Sequence, residues 1–298
     1  MVDVSIILLV KNEEKNIKTC LERIYNQKYS GKFEVILADS GSTDKTLEIA
    51  KNFPVNVIHI EPKQFRYGFV RNLCAAKSKG NILVYIAGDA YPKDDQWLMN
   101  LVCSLNDPKV VGVYGRQIPR KDALPMEQFH IYKFYPKNAI KFTNPNARTI
   151  NTKGIFFSTV NCAIKKDIWR KHNFSNKLIM HDDLEWARRV LFDGYVVIYN
   201  PDAVVVHSHH YTLKTVFVRF FRYGYAMKDT LCSKSAYSNT NFIKDGIEYI
   251  FEETSFLLTN KYAKWLPYMV LYDFMKFLGL FVGKELGHFI KKLNSFKK

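Results

Sequence analysis

Phe33-Glu34-Val35-Ile36-Leu37-Ala38-Asp39-Ser40-Gly41-Ser42-Thr43-Asp44-Lys45-Thr46 is the stretch that decides the fold. A mostly apolar, β-forming run leads straight into a carboxylate, a glycine turn and a group of hydroxyls suited to capping a helix. The same unit recurs on both sides. Upstream, Val4–Val10 is a continuous apolar run, the pattern of a strand buried on both faces, and Ile17, Leu21 and Ile24 carry helical spacing through Glu13–Gln27. Downstream, helices are expected at Thr43–Asn52, Phe69–Lys79 and Asp94–Leu105, alternating with strands at Val55–Ile60, Ile82–Ala87 and Val110–Tyr114. Repeated β-α-β units of this length imply an α/β fold with a mainly parallel, twisted, doubly wound sheet flanked by helices. Ligands of such sheets collect beyond the carboxyl ends of the strands. The segments after Val10, Ala38, Ile60 and Ala87 are therefore the places to look.

From Gly115 to Lys153 the pattern weakens, apart from a short amphipathic stretch at Met126–Phe134. A strand at Phe156–Ile164, helices at Lys165–His172 and Asp182–Phe192, and two strands at Tyr195–Tyr199 and Ala203–His207 follow. From Thr212 onward the chain reads as helices rich in Phe, Tyr and Lys. The 298 residues, 47% of them hydrophobic and 24% charged, describe a folded chain and not a disordered one. A net charge of +16 favours anionic partners without choosing among nucleic acid, phosphorylated substrates and anionic lipid. Cys20, Cys74, Cys103, Cys162 and Cys232 are widely separated and read as reduced, individually buried thiols of a cytosolic protein. The N-terminus shows no basic region and no cleavage site of a signal peptide. The most apolar segment, Trp265–Gly283, is interrupted by Asp273 and Lys276 and reads as interfacial.

Each strand end carries a group with two readings. Lys11-Asn12-Glu13-Glu14 places acids where they can serve a helix N-terminus or a ligand. Asp39 ends its strand where a carboxylate can accept from a ribose hydroxyl or a base N–H, and turn chemistry alone does not call for it. Arg71, in the first turn of a helix, is either a solvated arginine or part of a diphosphate-binding corner. Gly88-Asp89-Ala90 puts a lone carboxylate after an apolar strand, where it can hold Mg²⁺ or Mn²⁺ completed by substrate phosphates and water, or simply start a turn. Asp182 and Asp183 open a helix, either serving its dipole or raising each other's pKa toward that of a general base. One imidazole of His207-Ser208-His209-His210 can complete a metal shell, or the segment is an exposed polar turn.

Taken in order, these elements resemble the family 2 inverting glycosyltransferases of the GT-A fold. That layout is strand–Asn-Glu, a D-x-G-S-x-D-x-T element, a metal aspartate after the fourth strand and an acidic pair opening a later helix. Arg71-Asn72, Gly88-Asp89-Ala90-Tyr91-Pro92, Tyr114-Gly115-Arg116-Gln117-Ile118-Pro119, Phe156-Phe157-Ser158, Asp183-Leu184-Glu185-Trp186-Ala187 and His207-Ser208-His209 are similar in particular to its rhamnosyltransferase-like branch. The resemblance implies a nucleotide-sugar half at about 1–115, an acceptor half at about 116–225, and a helical, basic and aromatic C-terminal region at 226–298. It implies Asn12, Glu13, Asp39, Arg71 and Gly88 at the nucleotide, Asp89 and His207 at a divalent cation (Mg²⁺ or Mn²⁺), and Arg116, Gln117 and Trp186 at the acceptor. Asp183 takes the place of the catalytic base, with Asp182 beside it. The sequence departs from the pattern twice: the usual D-x-D metal element is reduced to Asp89, and the usual Glu-Asp pair is Asp182-Asp183.

The implied substrates are a nucleotide-diphosphate sugar and a glycan or glycolipid acceptor. Trp265, Tyr268, Phe274, Phe277 and Phe281 beside Lys261, Lys264, Lys276, Lys284, Lys291 and Lys292 suggest peripheral attachment to the cytoplasmic face of a membrane. The alternatives are a catalytically impaired relative and a basic nucleic-acid-binding protein. Against the latter, no nucleic-acid-binding motif accompanies the dispersed positive charge, so no nucleic-acid partner is expected.

Overall fold

The computed structural model describes residues 2–143, 156–230 and 239–295. Strand β1 (Val4–Val10) lies parallel to β2 (Phe33–Asp39) on one side and to β4 (Ile82–Ala87) on the other, and β2 lies parallel to β3 (Val55–His59). The unbroken apolar run of β1 is explained by its place. Ile6 and Leu8 face a core shared with Ile17, Leu21 and Ile24 of α1 (Ile17–Tyr25), while Ile7 faces a second core with Val70 and Cys74 of α3 (Tyr67–Lys77). Alternation along the pleat thus fills both layers at once. The short helix α2 (Thr46–Ala50) makes the crossover between β2 and β3.

Helix α1 begins four residues later than the periodicity suggests. Asn12 adopts a left-handed φ of 57°, and the amides of Asn16 and Ile17 both donate to the Glu13 carbonyl in a turn that precedes the helix. The Glu13 carboxylate accepts from Asn16 Nδ2 at 2.7 Å and that of Glu14 from the Lys45 amide at 3.2 Å, so neither caps its own helix.

Beyond β4 the direction reverses. Strand β8 (Asn161–Lys165) is antiparallel to β4 and to β6 (Val110–Ile118), β9 (Val196–Val206) is parallel to β6, and β5 (Tyr91–Pro92) and β7 (Ile140–Phe142) are antiparallel to β9. Among the described residues the strands form one nine-stranded sheet, in the order β3-β2-β1-β4-β8-β6-β9-β5 with β7 on β9. Helices α4 (Trp97–Val102), α5 (Pro125–Phe134), α6 (Lys166–Lys171) and α7 (Asp182–Phe192) connect these strands. The strand expected at Phe156–Ile164 is confined to its last part. The two expected strands near the end of the sheet are one, with a bulge where pairing jumps from Gly115–Asn200 to Arg116–Val204 and leaves Pro201, Asp202 and Ala203 without a partner on β6. A side chain at Gly115 would stand 2.1 Å from the Ala203 carbonyl and 2.3 Å from Asn161 Nδ2. Asn161, fully buried, accepts from Trp97 Nε1 at 2.8 Å and donates to the Ala203 carbonyl at 2.8 Å, tying α4, β8 and β9 together.

The C-terminal helices are α8 (Leu213–Thr230), α9 (Asn239–Thr259) and α10 (Leu266–Ser295), so residue 225 falls inside α8. Met126 of α5, Val216 of α8, Leu257 of α9 and Met269 and Tyr272 of α10 form one apolar cluster. Helices α8 and α10 meet at glycines: a Cβ on Gly224 would stand 2.1 Å from the Leu280 carbonyl, on Gly279 2.5 Å from that of Phe217, and on Gly283 2.0 Å from that of Phe221. Cys20, Cys74 and Cys162 are buried free thiols, Cys103 is exposed, and Cys232 lies outside the described residues.

Polar groups are buried between α9 and α10. Lys276 Nζ donates to the Tyr249 hydroxyl at 2.7 Å and lies 3.5 Å from Asp273 Oδ1. Glu253, with no exposure, is pushed up to about 9 by burial, Lys276 opposing and Asp273 adding to the shift. The folded state thus holds a proton on Glu253 that the unfolded chain releases near pH 4.5. This contribution to stability is present below that pH and is lost as pH rises toward 9. Glu253→Gln is accordingly expected to have a higher Tm than wild type at pH 8, with the gap closing toward pH 5. Paired thermal melts across this range check it.

Candidate active site

The carboxyl ends of β1, β2 and β4, the segment before β8, the start of α7 and the segment after β9 surround a cavity of about 630 Å³. Glu13, Arg71, Gly88, Asp89, Gln117, Asp182, Asp183 and His207 all line it. Asn12 and Asp39 stand just behind its edge, where Lys11 and Ser40 take part in the lining. Arg116 and Trp186 do not line it.

The loops after β1 and β2 are stitched to one another. The Asn12 amide donates to Ser42 Oγ at 2.9 Å, Asn12 Oδ1 accepts from the Thr43 amide at 2.8 Å, and the Glu13 amide donates to Thr46 Oγ1 at 2.7 Å. Asp39 accepts from the amides of Gly41 and Ser42 at 3.2 and 3.1 Å, and Gly41 takes the left-handed φ of 86° that the turn demands. The D-x-G-S-x-D-x-T element is therefore both a turn and a rim: its side chains fix the backbone that borders the cavity. Burial, opposed by Asn16, raises the pKa of Glu13. Gly88 has no room for a side chain, since a Cβ would stand 2.6 Å from Val10 Cγ1.

Asp89 follows β4 and meets two imidazoles from the segment after β9. Its Oδ2 is 3.4 Å from His207 Nε2 and 3.4 Å from His209 Nδ1, and the three ligand atoms all lie within 4.8 Å of one another. Gln117 Oε1, an acceptor, is 2.8 Å from His207 Nδ1, which assigns the proton to Nδ1 and turns the Nε2 lone pair toward Asp89. Gln117 is thereby engaged behind the imidazole, its amide nitrogen donating to Ser158 Oγ at 3.2 Å and to the Tyr135 hydroxyl. Arg120 donates to the Asp89 carbonyl, the Ser208 carbonyl and Asn16 Oδ1 and so clamps the loop. The Asp89 carboxyl sits well below the ordinary carboxylate range, because His207, His209 and Arg120 outweigh the cost of its burial. Burial and then His207 push His209 down to about 4, leaving it neutral near pH 7. A carboxylate flanked by two imidazole nitrogens is a donor set that fits a divalent cation.

The acidic pair at the head of α7 divides in two. Asp182, 2% exposed, accepts from Arg71 at 2.5 Å. Burial pushes the Asp182 carboxyl up and Arg71 pulls it back, and a guanidinium that does not surrender its proton keeps the pair ionic. Arg71 is itself packed against the rings of Tyr67 and Phe174 at 5.2 and 5.8 Å. Asn72 is equally committed, accepting from Trp169 Nε1 at 2.9 Å and donating to the Phe174 carbonyl at 2.7 Å. Asp183 instead faces the cavity, its Oδ2 accepting from the amide and hydroxyl of Thr159, both at 3.1 Å. Asp182→Ala is expected to lower the unfolding free energy by about 3–5 kcal/mol, and Arg71→Met with Asp182→Leu to recover much of it, both read from urea midpoints.

Trp186, an expected acceptor contact, has no exposure, and its ring packs on Phe157 and Phe174. It lies one helical turn past Asp182 and Asp183 and packs inward against Gly112. Arg116 lies on β6 with its Nε buried and unpartnered, away from the cavity. Sequence reasoning gave Glu127, Arg219 and Tyr223 no role, left His209 as one imidazole of a polar segment and counted Lys276 toward a membrane face, yet all five line the cavity. The alternation His207-Ser208-His209 was a usable signal, since residues two apart in extended chain share a face. Nothing local marked the others, which long-range packing of α5, α8 and α10 delivers.

Comparison with known proteins agrees with this geometry. Residues 5–172 match the family described as Glycosyl transferase family 2. The O-antigen chain rhamnosyltransferase RfbN of Salmonella typhimurium is 31% identical over 256 residues, which are 85% of this chain and 80% of that protein. WbaN of Salmonella anatum, also an O-antigen chain rhamnosyltransferase, is 30% identical over 255 residues, again 85% of this chain and 80% of that protein. Among solved structures, the mannosyltransferase PcManGT of Pyrobaculum calidifontis, in complex with GDP-Man and Mn²⁺, superposes with a TM-score of 0.62 at 19% identity over 95% of this chain and 86% of that one. Staphylococcus aureus TarS 1–349 in complex with UDP-GlcNAc gives 0.57 at 14% identity over 96% and 92%. These two share the GT-A fold expected from the strand and helix order. With more than half its length matching the family and most of it aligning with rhamnosyltransferases, the chain belongs to glycosyl transferase family 2 and is a glycosyltransferase.

Proposed function

We propose that the chain moves a sugar, rhamnose in the first instance, from a nucleoside-diphosphate donor to a hydroxyl of a lipid-linked surface glycan, by one inverting, cation-dependent displacement. The observation that carries this reading is the pairing, in one cavity, of the Asp89–His207–His209 cluster with the Asp183 carboxylate from another part of the fold. The O-antigen rhamnosyltransferases among the relatives favour the sugar and the acceptor class. The nucleotide-sugar complexes of PcManGT and TarS favour the donor class.

In this reading Asp89, His207 and His209 hold the cation, and Gln117 keeps His207 in the ligating tautomer. When bound, the cation offsets negative charge on the departing diphosphate. Imidazole donors beside a carboxylate favour Mn²⁺ over Mg²⁺. Asn12, Glu13 and Asp39 shape the rim for the nucleoside, with Gly88 packed tightly against Val10 beside it. Asp183, oriented by Thr159, takes the proton of the attacking hydroxyl, and Asp182 with Arg71 holds the head of α7 in position. A screen of nucleotide sugars, with and without Mn²⁺, for thermal stabilisation and nucleotide release tests the reading. Stabilisation by one nucleotide class that depends on Mn²⁺ is expected, and its absence across the panel overturns the proposal.

The same reading has the C-terminal helices resting on the anionic inner face of the cell membrane. Phe251 and Leu258 of α9 and Val270, Phe274 and Phe281 of α10 are exposed apolar side chains, and Lys261 and Lys264 at the bend between the helices are also exposed. By length and composition Ala263–Leu286 is apolar enough to cross a membrane. Of its charges, Asp273 and Lys276, the two away from its ends, are buried inward, which favours a helix lying on the surface. Lys276, counted among the basic groups of that face in the sequence, therefore does not belong to it, and the side chains of Lys291 and Lys292 lie outside those described. Flotation with vesicles containing anionic phospholipid is expected to carry the protein upward at low salt. Phe274→Ser with Phe281→Ser is expected to weaken that binding about tenfold or more.

A further inference from the structure

The cations lining the cavity, among the described residues, are Lys11, Arg71, Arg219 and Lys276. Arg71 is taken by Asp182, and Lys276 by Tyr249 and Asp273. Lys11 stands exposed on the rim. Arg219 differs from all three. It comes from α8, outside the segment that matches the family, and its Nε is buried with no hydrogen-bond partner. An unsatisfied buried donor in a cleft costs free energy that a ligand can recover.

Its surroundings place it between the two halves of the site. The guanidinium lies 4.7 Å from the centroid of the Tyr223 ring and also hydrogen-bonds that side chain, leaving Nε as its unpartnered donor, and Tyr223 stacks at 5.1 Å on His181, the residue that leads into Asp182 and Asp183. On the other side, Tyr211 stands 5.1 Å from His209, at the Asp89 cluster. The charge of Arg219 is felt by both imidazoles, by Tyr211 and by Tyr223. His181 also leaves a buried Nε2 unpartnered and holds a left-handed φ of 65°, so two unpartnered nitrogens flank one ring.

We propose that Arg219, and not Arg71, is the catalytic cation that receives the charge of the diphosphate leaving group. The inference rests on the glycosyl-transfer reading above. In that step the bond from the anomeric carbon to the β-phosphate oxygen breaks and its electron pair passes to the phosphate. The acceptor oxygen forms the new bond, and its proton goes to Asp183. The oxygen gaining charge lies between the Asp89 cluster and Asp183, where a fixed guanidinium meets it without reorganisation.

The test uses the full chain carrying Arg219→Gln or Arg219→Lys. Nucleotide release is measured with the donor active on wild type, and Mn²⁺-dependent thermal stabilisation is measured with pyrophosphate, UDP, GDP and dTDP as probes. Arg219→Gln is expected to lower turnover roughly 100- to 1,000-fold and to weaken stabilisation by the diphosphate probes. The response to Mn²⁺ alone stays as in wild type. Arg219→Lys keeps a charge at the site and recovers part of both losses, which also separates the role from a folding defect. Turnover of Arg219→Gln within about threefold of wild type overturns the inference, as does lost turnover with undiminished diphosphate binding in a variant of wild-type Tm. A wild-type protein that binds none of the probes with Mn²⁺ instead sinks the transfer reading itself.

Discussion

Asp183→Asn is expected to reduce sugar transfer by roughly 10²- to 10⁴-fold, the range attributed to general-base assistance, while leaving Mn²⁺-dependent nucleotide binding close to wild type. The substitution keeps shape and most hydrogen bonds: an amide oxygen can still accept from the Thr159 amide and hydroxyl, which meet Asp183 Oδ2 at 3.1 Å. What disappears is a site for the acceptor's proton. Asp182→Asn makes the informative control. Its carboxylate is bound to Arg71 at 2.5 Å, so its loss appears first as a lower urea midpoint. Should Asp182→Asn abolish turnover at unchanged stability while Asp183→Asn remains active, the roles are reversed.

Asp89→Ala is expected to eliminate Mn²⁺-dependent stabilisation and to lower turnover on the order of 10³-fold. This carboxylate is the hub of the cluster, 3.4 Å from each imidazole, and removing it takes away the one anionic ligand that offsets the charge of a cation. Gln117→Ala is a graded companion. It removes the acceptor behind His207 Nδ1 and is expected to weaken Mn²⁺ affinity by about 10- to 100-fold, recoverable by raising the metal concentration. Calorimetric titration of Mn²⁺ into each variant reads both effects. Unaltered Mn²⁺ binding in Asp89→Ala would place the cation elsewhere.

The half of the molecule built from local repeats was legible because each strand and helix there announces itself. Val4–Val10 and Phe33–Asp39 are read directly as buried strands, and the rule that ligands gather at strand ends led to Asp89. Local signals faltered where tertiary contacts decide. Glu13 and Glu14 look like helix-capping acids, yet a left-handed Asn12 delays α1 and sends them to Asn16 and Lys45. Trp186 was placed at the acceptor by the family resemblance, whereas its ring is buried on Phe157 and Phe174. Arg71 was marked by its place in the first turn of a helix, and its buried partner, 111 residues away in the chain, had no local signal. Arg219 escaped notice for the converse reason: nothing near it in the sequence reveals that α8 is folded back over the sheet.

The glycine contacts between α8 and α10 leave these helices no slack. With Gly283 separated from the Phe221 carbonyl by less than a methyl's width, and Gly224 equally tight against Leu280, the two rods shift as a single lever. Arg219 and Tyr223 ride on one rod, and the apolar flank of Val270, Phe274 and Phe281 belongs to the other. The wall of the cavity that Arg219 and Tyr223 line is thus joined to that flank through the glycine contacts. Inserting a single carbon at Gly283 would detune catalysis from a position that never meets substrate.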